Sequence, residues 1–69
     1  MKNDTIQAIR ADVLAQLKKV TQANSPNMFE RIQTKSGYAQ MEAEILRRML
    51  RFKMPASAVI PQIETEYQE

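Results

Sequence analysis

Large apolar residues recur at helical spacing along the first third of the chain. Five of them are separated by three, four, four and three residues, which places them on one face of an α-helix: Ile6, Ile9, Val13, Leu17 and Val20. This stripe predicts a helix over residues 4–23, with Asp4 as the N-cap and Gln7 completing a capping box. The helix is expected to stop before Pro26, because a proline ring disfavours α geometry at the preceding residue.

A second stripe repeats these spacings later in the chain and predicts a helix over residues 36–54. Its five members are expected to pack in the core: Tyr38, Met41, Ile45, Met49 and Phe52. Leu46 and Leu50 form a second apolar row on the same helix, one turn apart. Pro55 is expected to end the helix. A break or kink is expected at Gly37, because glycine inside a helix costs about 1 kcal/mol relative to alanine.

Two shorter helices are predicted between and after the stripes. Ser25 and Pro26 suit the N-cap and first position of a short helix within residues 25–37, although this stretch alternatively merges into the next helix. In the tail, Ser57 is expected to cap a helix with Pro61 at its fourth position, where proline removes no internal hydrogen bond. The last turn carries only acidic charge, which opposes the helix dipole, so that end is expected to fray.

Together these patterns predict an all-α fold in which residues 1–69 form one domain, an antiparallel helical hairpin followed by a short C-terminal helix. A chain of 69 residues rarely builds a sufficient core alone, and this one has no cysteine or histidine for a disulfide or a zinc site. Leu14, Leu46 and Leu50 lie beside the main stripes and need cover. We therefore expect a homodimeric helical bundle, with a three-helix monomer as the alternative.

Composition limits the class of protein. Hydrophobic residues make up 43% of the chain and charged residues 26%, which is typical of a folded protein. No apolar run is long enough to span a membrane, and the first residues do not resemble a secretory signal. We therefore expect a cytoplasmic protein without membrane contact, and a bacterial host cytoplasm if the chain is phage-encoded.

The usual residues of catalysis are scarce in this chain. Without histidine or cysteine it lacks the commonest general base and the thiolate nucleophile, and a single glycine excludes a glycine-rich phosphate loop. Glu42 and Glu44 are the closest carboxylates, but residues two apart on a helix do not face each other. We expect both to be solvated, with Glu44 paired to Arg47 or Arg48. The sequence therefore predicts no enzyme, no metal site and no cofactor.

Basic residues crowd the end of the second predicted long helix: Arg47, Arg48, Arg51 and Lys53. One interpretation is that these residues form a solvated face and interact favourably with the negative end of the helix dipole. The other is that they form a docking surface for an anionic partner. The acidic tail is expected to neutralise part of this cluster. A helix-turn-helix is disfavoured because the tail helix is acidic and phosphates repel it. A DNA-binding repressor that uses the basic face of the second helix remains the alternative function.

Protein binding is the favoured function, and its surface is placed from Phe29 through Tyr38 to Arg51. Tyrosine and arginine are enriched in binding hot spots, and Arg47 lies four residues from Arg51 on one helix face. Phe29 and Tyr38 alternatively close the end of the core. If the interface lies elsewhere, the first helix around Arg10 and Leu14 is the expected location.

In length and in its two matched amphipathic helices, over residues 4–20 and 38–52, the chain resembles the small phage-encoded anti-quorum-sensing proteins. This resemblance implies a helical homodimer that takes over a bacterial host. It also implies that the partner is a host protein, namely a LuxR-type transcription activator, a pilus-assembly ATPase or both. The expected function is therefore inhibition of a host protein by direct binding, with nucleic acid disfavoured as a partner.

Overall fold

The computed structural model describes residues 2–68, with side chains from residue 5 onward. Four helices follow one another: α1 (Lys2–Leu17), α2 (Pro26–Arg31), α3 (Lys35–Phe52) and α4 (Ala56–Glu66). The described residues contain no strand, which confirms the predicted all-α class. None of their helices is both long enough and apolar enough to cross a membrane.

Helix α1 begins earlier and ends earlier than its apolar stripe predicts. It starts at Lys2, so Asp4 lies inside the helix instead of at the predicted N-cap, and the Asp4 side chain is outside the described part. It ends at Leu17, where bonds from Lys19 to Gln16 and from Val20 to Leu17 tighten the last turn. The chain then turns so that Val20, at 4% exposure, still reaches the core without being helical.

The connection contains the predicted short helix, and it stays separate from α3. Ser25 and Pro26 occupy the predicted N-cap and first position, but the Ser25 side chain makes no cap bond. Instead, the Ser25 hydroxyl is buried and donates to the Glu64 carboxylate on α4. The residue predicted as a local cap therefore ties the connection to the C-terminal helix.

Gly37 does not mark the predicted break, because the chain turns at residues 32–34 and Gly37 lies within the first turn of α3. The Thr34 hydroxyl caps α3 by accepting the Gly37 N–H at 3.0 Å. A Cβ atom at Gly37 would overlap the carbonyl oxygen of Arg31. Glycine is therefore needed for the close approach of α2 and α3, not for an unusual backbone angle.

The loop between α3 and α4 differs in detail from the prediction. Lys53 adopts the left-handed conformation at the C-cap with φ of 55°, and Met54 donates to the carbonyl of Met49 at 3.3 Å. Helix α4 starts at Ala56 with Pro55 as N-cap, so Ser57 is not the predicted cap. Pro61 is consequently the sixth helical residue and removes one internal hydrogen bond.

The core lies where α4 packs against both α1 and α3. Helix α4 contacts each of these long helices more extensively than they contact each other, so the predicted short C-terminal helix packs on both arms of the predicted hairpin. Ten apolar side chains form the buried cluster: Val13, Leu17, Val20, Met28, Met41, Ile45, Ala56, Val59, Ile60 and Ile63. Four of the ten belong to α4, so this short helix completes the core.

The two predicted stripes are only partly buried. Ile6 and Ile9 on α1 are 54% and 38% exposed, and Phe52 at the end of α3 is 51% exposed. The prediction that these three residues pack in the core is therefore wrong. Helix α4 covers the side of α3 on which Arg48 binds Glu66. No described segment covers the side of the fold on which Ile6 of α1 lies. The helical spacing of the apolar residues therefore does not by itself decide which of them enter the core; their position along the helix also matters.

Candidate functional site

Half of the basic cluster on α3 is neutralised inside the chain. Glu44 accepts bonds from both Arg47 and Arg48, and the Arg48 guanidinium also binds both Glu66 oxygens at 2.7 and 2.8 Å. These contacts confirm that Glu44 pairs with the neighbouring arginines and that the acidic tail neutralises part of the cluster. The Glu66 contact also holds the end of α4 that was predicted to fray.

These ion pairs shift the ionisation of both carboxylates. The pKa of Glu44 lies below its ordinary value because Arg47, and then Arg48, donate hydrogen bonds to the charged form. The pKa of Glu66 is lowered chiefly by its bond from Arg48. The same two glutamates raise the pKa of Arg48, so the three-residue network is ionised at neutral pH.

The remaining cations lie at the C-terminal end of α3. Arg51 and Lys53 make no ion pair with any described residue. The Arg51 guanidinium lies 5.5 Å from the centre of the Phe52 ring, within cation–π range. Arg47, Arg51 and Phe52 line one shallow depression, which we call the basic–aromatic patch. This patch presents an arginine and an aromatic ring together in solvent.

The other predicted contact residues lie elsewhere. Phe29 and Tyr38 are half-buried and pack against the core, as in the alternative interpretation of these rings. They line a shallow groove together with Leu14, which is 40% exposed. Burial raises the pKa of Tyr38, and the Glu42 carboxylate raises it further. This second group of predicted residues forms an aromatic edge that is continuous with the core.

Arg10 joins this second group through an ion pair. It bonds Glu42 at 3.3 Å across α1 and α3, and both line a depression with Leu14 and Tyr38. At 100° per residue, Arg47 and Arg51 lie about 180° and 220° around α3 from Tyr38. The structure therefore divides the six predicted contact residues between two sides of α3 and does not form one patch from Phe29 to Arg51.

An apolar groove between α1 and α3 is the feature that sequence reasoning missed. We call it the α1–α3 groove, and its lining comprises Ile6, Ile9, Arg10, Leu46, Met49, Leu50 and Met54. Leu50 is 81% exposed, the highest value among the large exposed hydrophobic side chains. The second row of Leu46 and Leu50 was a signal for this surface, but Ile6 and Ile9 were assigned to the core by their spacing.

Glu42 and Glu44, the carboxylates singled out by their spacing, are held by different partners. Glu42 accepts a bond from Arg10, and Glu44 accepts bonds from Arg47 and Arg48. Within the described residues, no three metal-ligating side chains cluster together.

Comparison with known proteins found no matching family model, no matching curated protein and no matching solved structure.

Proposed function

We propose that this chain is a non-enzymatic regulator that acts by binding another protein. The observation that carries the proposal is the Arg51–Phe52 pair, because the Phe52 ring is 51% exposed and the Arg51 guanidinium lies 5.5 Å from its centre. Every large hydrophobic side chain that is well exposed among the described residues lies on one of two helices, α1 or α3: Ile6, Ile9, Leu14, Leu50 and Phe52. Contiguous exposed apolar surface on a soluble protein is typical of an interaction site.

The basic–aromatic patch supports a protein partner over DNA. Arg47 and Arg48 are already paired with carboxylates, and Glu66 lies beside them. Such mixed charge weakens the phosphate attraction on which DNA binding depends. Arg51 against an exposed aromatic ring is instead the type of residue pair that is enriched in protein–protein hot spots.

The partner class comes from the resemblance to phage anti-quorum-sensing proteins. It supports a host protein in the bacterial cytoplasm, either a LuxR-type transcription activator or a pilus-assembly ATPase, and inhibition as the outcome. The patch suits an acidic surface on such a partner, because Arg51 and Lys53 carry charge that no described carboxylate neutralises. We propose that Arg51 and Phe52 anchor the contact and that Arg10 and Leu14 belong to a separate edge.

Binding of the purified partners tests this function directly. A LuxR-type activator and a pilus-assembly ATPase are each titrated with wild-type protein and with the Arg51→Ala/Phe52→Ala variant in calorimetry. Loss of two anchors should weaken binding at least about tenfold, equivalent to about 1.4 kcal/mol. The matched control is Lys18→Ala/Lys19→Ala, which also removes exposed residues but lies at the end of α1. That variant should bind as the wild type does.

The alternative function predicts a different salt response. If the chain is a DNA-binding repressor, affinity for duplex DNA should fall steeply as salt rises, because bound phosphates release counterions. A protein interface with apolar and aromatic anchors should lose much less affinity over the same range. Tight, salt-sensitive DNA binding that is lost in Arg51→Ala, with no binding to either protein, would overturn the proposed function.

A further inference from the structure

Helix α3 carries an apolar seam on the side away from its core residues. Four residues at spacings of four, three and four form the seam: Ala39, Ala43, Leu46 and Leu50. At 100° per residue they fall within about 60° of one another, and roughly opposite the buried Met41 and Ile45. Ala39, Ala43 and Leu50 are exposed and Leu46 is half-buried. The 4-3-4 spacing is the one that pairs helices in coiled coils.

The order of small and large residues along the seam suits pairing with itself. If two copies of α3 run antiparallel around a two-fold axis midway between residues 43 and 46, Ala39 faces Leu50 of the second copy. In the same register, Ala43 faces Leu46 of the second copy. Each leucine then meets an alanine, which is the alternation of large and small side chains that fills an interface. A parallel pairing would instead place leucine on leucine and alanine on alanine.

The charges beside the seam allow this arrangement. In antiparallel helix pairs with the register above, Arg47 lies beside Gln40 of the second copy, and Glu42 lies beside Met49 of the second copy. Neither flank therefore brings like charges together. Arg10, which borders the α1–α3 groove, is already paired with Glu42 and adds little repulsion near the axis.

Exposed apolar side chains beside the seam enlarge this face. A stable interface of standard size takes about 800 Å² from each partner. Ile6, Ile9 and Leu50 contribute exposed apolar area toward it. The buried apolar cluster of the described residues is small, which makes a second copy the expected source of further stability.

We propose that a second copy of the chain is the occupant of this surface. The two α3 helices pack antiparallel through the seam, and the α1–α3 grooves of both copies close against each other as a four-helix bundle. The proposal is independent of the host partner, because it concerns the free protein. It leaves Arg51 and Phe52 outside the seam, while Arg47 and Leu50 of the same depression border the interface.

Sedimentation equilibrium of the purified chain tests the proposal. The wild type should approach twice its mass of 8.0 kDa at micromolar concentration. Leu50→Asp should raise the dimer dissociation constant at least about tenfold, while helix content stays unchanged because Leu50 is 81% exposed. Gln22→Asp, an exposed charge change in the connection between α1 and α2, is the matched control and should dimerise as the wild type does.

A size swap tests the register. Ala39→Leu alone crowds Leu50 of the second copy, and Leu50→Ala alone leaves a void, so each should weaken the dimer. The double variant Ala39→Leu/Leu50→Ala restores one large and one small residue in each layer and should recover most of the affinity. Recovery in the double variant supports the antiparallel seam, whereas a tighter dimer from Ala39→Leu alone overturns it.

The remaining outcomes separate this proposal from the proposed function. A wild-type chain that remains monomeric at about 100 µM, a weak-affinity limit, overturns the dimer and leaves the groove for an amphipathic helix of another protein. A dimer that is unaffected by Leu50→Asp places the interface elsewhere and also overturns it. Host-partner binding is measured separately with Arg51→Ala/Phe52→Ala, so either result can fail alone.

Discussion

Two sides of helix α3 show how differently the same helix is used. On one side, Ile45 is fully buried and Arg48 binds carboxylates on its own helix and on α4. On the other side, Leu46 and Leu50 border an open groove, and Leu50 is 81% exposed. The first side has a complete set of partners within the chain, while the second has apolar area without cover.

The difference follows from the number of helices available. Helix α4 covers one side of α3, where Arg48 binds Glu66. The Ser25–Glu64 bond, and the bond from Asn27 to the Tyr67 carbonyl at 2.8 Å, tie this part of the chain to the segment around α2. Among the described residues, no further helix covers the other side. Cover for the apolar residues there must come from another molecule, which is why the open side carries the dimer proposal.

The largest contrast is expected from an aspartate on each side of α3. Ile45→Asp places an unpaired charge in the core and should unfold the chain at 25 °C, since the loss of more than about 4 kcal/mol exceeds the stability of a core this small. Leu50→Asp should keep its helix content. Circular dichroism with urea titration checks both, and a folded Ile45→Asp would contradict the assignment of the core.

A neighbouring pair on α1 tests the same contrast with smaller changes. Leu17→Ala should lower the free energy of unfolding by about 2–5 kcal/mol, because Leu17 is 1% exposed and its removal leaves a cavity. Leu14→Ala should cost about 1 kcal/mol or less, since Leu14 is 40% exposed. The measurement is urea unfolding at one fixed protein concentration. Equal losses of stability in the two variants would show that the Leu14 side chain is covered.

Gly37→Ala tests the close approach of α2 and α3 on the covered side. Alanine favours helices, yet its Cβ would overlap the Arg31 carbonyl oxygen, so we expect a loss of about 1–3 kcal/mol. Ser36→Ala, one residue earlier and exposed, should change stability by about 0.5 kcal/mol or less. Thermal unfolding of both variants is the check. A stabilised Gly37→Ala would mean that the turn before α3 relaxes freely.

The smallest effect concerns acid sensitivity of the Arg48 network. The pKa values of Glu44 and Glu66 are lowered in the folded chain, so their pairing stabilises it above their ordinary pKa near 4.5. That contribution is lost as pH falls below this value through the folded pKa. Urea midpoints between neutral and acidic pH should therefore fall less in Arg48→Met than in the wild type.

Salt and a matched variant provide the controls for this network. Glu66 is exposed and Glu44 is partly exposed, so the difference should be small and should shrink at high ionic strength. Lys53→Met removes a nearby cation that makes no ion pair with the described residues and should keep the wild-type pH profile. If the urea midpoint of Arg48→Met falls with pH as much as that of the wild type, a stabilising role for these ion pairs is contradicted.

Sequence periodicity predicted the existence and order of the helices well, because hydrophobic spacing and helix caps act over only a few residues. It placed Val13, Leu17, Met41 and Ile45 in the core correctly. It misplaced the N-terminus of α1, the cap of α4 and the break at Gly37. The error at Gly37 depends on a contact between helices, the Arg31 carbonyl against Gly37, that local spacing does not contain.

The candidate site was predicted less well than the fold. The pairing of Glu44 with its arginines followed from i,i+3 and i,i+4 spacing and is confirmed. The predicted continuous surface from Phe29 to Arg51 is wrong, because the group that contains Phe29 and the group that contains Arg51 lie on different sides of α3. A pattern along one helix identifies faces but does not say which face a neighbouring helix will cover.

By itself, the sequence determined an all-α chain with two long amphipathic helices, a charged helix end and too little apolar content for a large core. Those properties are local or compositional, so they hold before any helix packs. Only the tertiary structure decided that α4 takes one side of α3 and leaves Ile6, Ile9 and Leu50 exposed. That choice follows from side-chain packing among residues far apart in sequence, such as Arg48 with Glu66 and Ser25 with Glu64.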